Sequence, residues 1–224
     1  MNSIVFTIVL AFVWILLFSL RREVRLEMFV LGIFAVVLVP SLLIFDDASG
    51  LLLAPLALID YMVVFLGAGI AGTIYHVVFG QHYHKLPNVQ FLRRSKNREK
   101  HISWFLELAV LLTILVWLSI AMQILLSIPV AIALLLSALL AGLYVATRRH
   151  DLLADALWSS FLMIFLVAFC VILARFFTVE GVVYPGLTSH FLLAASFTDI
   201  LIWSVLAGVF LGPVYEYVRT LELR

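Results

Sequence analysis

Two carboxylates stand inside apolar stretches of this sequence: Asp60 in IDYMVVFLGAGIAGTIYHVV (59–78) and Asp199 in TDILIWSVLAGVFLGPVYEYV (198–218). A carboxylate among apolar residues is costly unless it faces a protein interior or a wet cavity, so each marks a candidate catalytic position. Two such acids facing one site can exchange a proton, and the chemistry this suits is proton donation and removal. The competing expectation is that each acid hydrogen-bonds a neighbour such as Tyr61, Thr198 or Tyr184 and only joins helices. Tyr61, Phe65, Phe197 and Trp203 lie close to the two acids in sequence. They are candidates to line a ligand cavity and turn their ring faces to a cation, or else to pack in the core or against lipid. Arg175 is placed either to pair with one of the acids or to extend its guanidinium to the membrane surface.

The remaining polar groups carry weaker chemistry. Glu107 is expected near His76 and Glu216 as a packing or helix-end group. The histidines at 76, 82, 84 and 101 surround a basic loop, and QHYH has an alternating spacing that a metal can use on an extended segment. Nothing in that spacing completes the three or four ligands a metal site needs, so no metal is expected. Asp151 and Asp155 in RRHDLLADAL stand four apart and share a helix face. Beside Arg148 and Arg149 they are expected to be a solvated, helix-starting pair rather than a magnesium site. The single cysteine, Cys170, permits no intrachain disulfide and is expected to be a small buried apolar group. No P-loop, nucleophile elbow, HExxH or Gly-rich dinucleotide fingerprint occurs, and no cofactor is expected.

The elements that must position these groups are membrane spans. The 224-residue chain is 65% hydrophobic and only 12% charged, well below the roughly one-quarter charged content of soluble domains. Apolar runs of about 20 residues, enough to cross a bilayer, begin near Ile4, Phe29, Leu51, Ile102, Ile124, Leu157 and Leu192. The expected fold is an all-α integral membrane protein of seven transmembrane helices in the cytoplasmic (inner) membrane. The first run is not a cleavable signal, because its basic cluster RREVR follows it and no small-residue cleavage site does. With the N-terminus outside and the C-terminus inside, every lysine and arginine except Arg175 falls on the inner side, as the positive-inside rule requires. The basic stretch FLRRSKNREKH is explained by that topology and by anionic lipid headgroups, so membrane lipids rather than nucleic acid are the expected partner.

The chain also reads as a duplication. FSLRREVRLEMFVLGIFAVVLVP (18–40) lines up with VATRRHDLLADALWSSFLMIFLVAF (145–169), and Gly72, Tyr75 and His76 match Gly212, Tyr215 and Glu216. The expected organisation is 3+1+3: a three-helix repeat (1–80), a basic cytoplasmic loop with a linking helix (81–123), and a second three-helix repeat (124–224). An odd linker makes both triplets enter the membrane in the same direction, as in parallel-repeat membrane proteins. Both acids are then expected at similar depth, about eight to ten residues or roughly 13 Å from the outer helix ends. The small residues GAGIAG (67–72), Ala207, Gly208 and Gly212 let the third and seventh helices approach closely.

This plan is similar to that of the seven-helix microbial rhodopsins. The lysines, at 85, 96 and 100 only, all lie in one loop, which excludes a retinal attached to the seventh helix. The chain resembles the membrane lycopene cyclase family more fully, over nearly its whole length. RRHDLLADAL resembles the start of that family's middle helix, and SFTDILIW (196–203) occupies the place of its ProXGluGlu motif. Ser196 stands where the proline would be, Thr198 and Asp199 where the two glutamates would be, and ALIDYMVVF in the first half keeps only Asp60. The resemblance implies a carotenoid or other isoprenoid bound between the two repeats. It further implies redox-neutral cyclisation by protonation of a polyene, with Asp60 and Asp199 as acid and base and Tyr61, Phe65, Phe197, Trp203 and Arg175 around the ligand. A proton-coupled transporter or ion-handling protein, and a non-catalytic seven-helix scaffold that binds lipid, are the alternatives. The oligomeric state is left open.

Overall fold

A backbone in hydrocarbon must satisfy its own hydrogen bonds, and a helix does so within one segment. The computed structural model describes residues 3–43, 58–80, 83–85, 100–128, 130–176, 202, 204–219 and 221–223. Within them the apolar runs form α1 (Ser3–Leu20), α2 (Arg25–Leu43), α3 (Leu58–Phe79), α4 (Lys100–Leu126), α5 (Val130–Arg148), α6 (Leu153–Phe176) and α7 (Gly212–Arg219). A 3-10 turn, His150–Leu152, precedes α6, and a π-helical segment, Ala207–Leu211, precedes α7. Three stretches, Leu58–Phe79, Phe105–Leu126 and Leu153–Phe176, are long and apolar enough to cross a membrane.

The side chains are distributed as a bilayer requires. Along α6, Leu153, Leu157, Phe161, Phe165, Phe169 and Ile172 are exposed, while Asp155, Ser159 and Ser160 are buried. Large apolar side chains are likewise exposed along α1 (Ile8, Phe12, Ile15) and α4 (Leu106, Val110, Ile114, Trp117). Water would leave these apolar stripes as large adhesive patches; lipid tails cover them at no cost, and the polar groups gather inside instead.

Two apolar cores result. The first joins α1, α2, α3 and α6 through Phe6, Leu10, Met28, Ile70, Cys170 and Val171; the second joins α2, α4, α5 and α7 through Leu31, Leu112, Leu134, Phe210 and Tyr215. Cys170 is fully buried in the first core, as its apolar reading anticipates. Between the two cores run α2, α3, α6 and α7. Their contact is close because the π-segment presses Gly208 onto α6: a Cβ there would overlap the backbone N and Cα of Ser160.

Three features differ from those read from the sequence. α4 continues to Leu126 and breaks at Ser127, whose φ of 53° is left-handed, so Ile124 ends a helix instead of opening one. Apolar continuity hides such a break. α3 begins at Leu58, which puts Asp60 in its first turn rather than eight to ten residues inside; a carboxylate there suits the positive end of the helix dipole. Finally, a short ribbon accompanies the helices of the all-helical fold. Tyr83–Lys85 and Leu221–Leu223 pair as an antiparallel ribbon, with Tyr83 opposite Leu223 and Lys85 opposite Leu221. That ribbon ties the chain after α3 to the chain after α7. α3 itself stops because Gly80 turns left-handed, with φ of 71°.

Gly208→Ala is therefore expected to destabilise the detergent-solubilised protein by about 1–3 kcal/mol through overpacking. Gly67→Ala, where a Cβ would meet nothing within 4 Å, is expected to be neutral or stabilising. Melting curves of the two variants distinguish these outcomes, and equal effects would contradict the packing of the π-segment on α6.

Candidate functional site

The described structure concentrates its buried acid–base groups where α2 and α6 begin and α3 and α7 end. Glu27 lies in the first turn of α2 and Asp155 in the first turn of α6, positions where the helix dipole favours an acid. His76 lies in the last turn of α3 and Glu216 in α7. All four are at most 1% exposed. His76 Nε2 meets Glu216 Oε1 at 2.5 Å, an ion pair between α3 and α7. One ligand atom each from Glu27, His76 and Glu216 lie within 4.8 Å of one another. Asp155 completes the group from α6 and acts electrostatically on both Glu216 and His76.

The neighbours hold these side chains in place. Ser159 Oγ donates to Asp155 Oδ1 at 3.0 Å. Arg149 reaches over from the end of α5 and donates to the backbone carbonyl of Glu216 at 3.4 Å, and the charge of Arg21 is felt at His76. Glycines make room for the acids: a methyl at Gly72 would stand 3.2 Å from Glu27 Oε1, and one at Gly212 would stand 3.0 Å from Ser159 Oγ. Gly72 and His76 thus face Glu27 and Leu31 in the same way that Gly212 and Glu216 face Asp155 and Ser159. In each pair the two residues stand four apart, one helical turn on one face.

Several sequence expectations change here. Asp155 is not solvated but fully buried in the cluster, because the 3-10 turn before α6 carries it to the interior. His76 is paired by Glu216 and not by Glu107, which is exposed on α4. Asp60 is buried at 3% exposure, sixteen residues before His76 and so about 24 Å away along α3. Tyr61 beside it is half-buried. Phe65 packs into an aromatic group with Trp14 and Phe29, at ring separations of 5.8 and 6.0 Å. Arg175 is exposed in the last turn of α6 and pairs with no acid among the described residues. Asp199, Phe197, Thr198, Tyr184, Trp203 and His82 lie outside the described residues, so the juxtaposition of Asp60 and Asp199 is not described.

Glu27 was overlooked in the sequence, and the signal for it was present. An Arg–Arg pair precedes an acid in a helix's first turn in both halves, in RREVRLE and in RRHDLLAD. The second acid comes one residue later, and the 3-10 turn absorbs the difference.

No protein-family model matches the chain, and no curated protein or solved structure matches it either.

Removing one member of a buried ion pair strands the other, typically at a cost of about 3–5 kcal/mol. His76→Leu and Glu216→Leu are each expected to destabilise on that scale, and the double variant by clearly less than the sum. Unfolding of the four proteins in one detergent measures the coupling; strict additivity would mean that the contact carries no energy.

Proposed function

We propose that this chain is a membrane-embedded acid–base protein whose working centre is Glu27, His76, Asp155 and Glu216, with an isoprenoid or carotenoid as its apolar ligand. The observation that carries the proposal is the buried His76–Glu216 pair between two further buried carboxylates. A histidine bound to a carboxylate is a proton donor held in a fixed orientation, and a second carboxylate within reach is an acceptor. Those are the two parts that redox-neutral isomerisation of a polyene needs: one group protonates a double bond, and another removes a proton from the resulting cation.

The similar placing of Gly72–His76 against α2 and of Gly212–Glu216 against α6 favours descent of the two halves from one three-helix unit. It also favours the 3+1+3 plan that the lycopene cyclase resemblance rests on. In this proposal the cluster replaces Asp60 and Asp199 as the main acid–base site, and Asp60 marks the opposite end of α3.

One observation favours a second class, a proton-coupled transporter. The π-helical segment Ala207–Leu211 leads directly into the helix that carries Glu216, and π-segments in otherwise α-helical runs occur often at functional sites. A local change of that turn would move Glu216 relative to His76.

Expression in lycopene-accumulating cells separates the readings. Cyclised pigment on chromatography, reduced at least tenfold by Glu216→Gln and by His76→Gln while the protein remains folded and in the membrane, is the expected result. Unchanged pigment with the unaltered chain would sink the cyclase reading for that substrate. Proton flux in liposomes that is lost in the same variants would favour the transporter.

A further inference from the structure

The cluster has the composition of a metal site as well as that of an acid–base pair. It offers one imidazole and three carboxylates from four different helices, with no thiolate, since Cys170 is packed in the first core. Imidazole suits zinc, iron and copper, whereas carboxylates suit manganese and magnesium; the mixed set selects a divalent first-row ion. Donor atoms of Glu27, His76 and Glu216 already lie within 4.8 Å of one another. Ligands about 2.1 Å from one ion stand about 3.0–3.4 Å apart. Loading an ion therefore asks the His76–Glu216 contact to open by less than about 1 Å and Glu27 to close by at most about 1.4–1.8 Å.

A second, independent observation is the state of Asp155. It is 0% exposed, Ser159 engages its Oδ1 at 3.0 Å, and its Oδ2 has no hydrogen-bond partner among the described residues. Buried carboxylate oxygens are ordinarily satisfied. A hydroxyl that fixes one oxygen of a carboxylate and leaves the other available is how metal-ligating carboxylates are oriented.

We infer that Glu27, His76, Asp155 and Glu216 together bind one divalent first-row transition-metal ion of the zinc, iron or manganese class. His76 supplies the nitrogen ligand, Glu27 and Glu216 supply oxygens from the two halves of the chain, and Asp155 Oδ2 is the fourth donor. The ion joins α2, α3, α6 and α7 at one point. This inference rests on the cluster and not on the isoprenoid reading, because metal content is measured on resting protein with no substrate present.

The test uses the full-length, untagged chain in detergent, stripped with EDTA and re-equilibrated separately with zinc, manganese and cobalt(II). Expected are one ion per chain by elemental analysis and visible ligand-field bands with cobalt. His76→Gln and Glu216→Gln should lower affinity at least tenfold, Asp155→Asn should lower it and shift the cobalt bands, and Thr113→Ala on the exposed face of α4 should leave both unchanged. His76→Cys guards against loss by misfolding: it should retain binding and add a thiolate-to-cobalt charge-transfer band. Folded, unaltered protein that binds none of these ions above a detergent blank overturns the inference. So does stoichiometric binding that survives all substitutions in the cluster, which would assign the metal to the histidines at 82, 84 and 101.

Discussion

The contact between His76 and Glu216 is the constraint on which this end of the structure depends. It joins the last turn of α3 to α7 in an interior where an unpaired charge is expensive. Everything around it serves to bring two helices from different parts of the chain together. Gly72 and Gly212 remove side-chain bulk one turn earlier, the π-segment presses α7 towards α6, and the Tyr83–Lys85 ribbon with Leu221–Leu223 ties the two helix ends. The acids of α2 and α6 complete the group. They sit in first turns, where the backbone dipole itself favours negative charge.

Lipid as the outer solvent explains why such a centre can be polar. In water, apolar burial would claim the interior; the exposed stripes of α1, α4 and α6 suit a medium as apolar as themselves. Helix association in that setting relies on close packing and on polar contacts between helices. Gly208 against Ser160 is an example of the first, and His76 with Glu216 of the second. The two apolar cores meet along the line where these devices lie.

Proton chemistry and metal binding draw on one physical property of the cluster. Carboxylates and an imidazole that cannot be hydrated need a positive partner, and either a proton or a divalent ion can supply it. Asp60 belongs to a different environment, in the first turn of α3 and about 24 Å along the helix from His76. It lies at the other end of α3 from the place where acids, histidine and arginines converge. A membrane acid is a good marker of an interior, but it identifies a reactive site only when its partners are known.

Local chemistry made much of this protein legible from its sequence. The apolar runs marked helices, the low charge content marked a membrane, and the match of Gly72 and His76 with Gly212 and Glu216 marked two helices that come close. Those signals depend on residue type and short-range spacing, which a linear chain displays directly. What only the tertiary structure decided was which polar residues share one interior. Asp155 looked like a solvated helix start because Arg148 and Arg149 adjoin it in sequence, yet one 3-10 turn carries it inward while the arginines remain outside or at the rim. Glu27 and Glu216 are 189 residues apart along the chain, and no local pattern encodes a meeting that depends on four helices packing through two glycines.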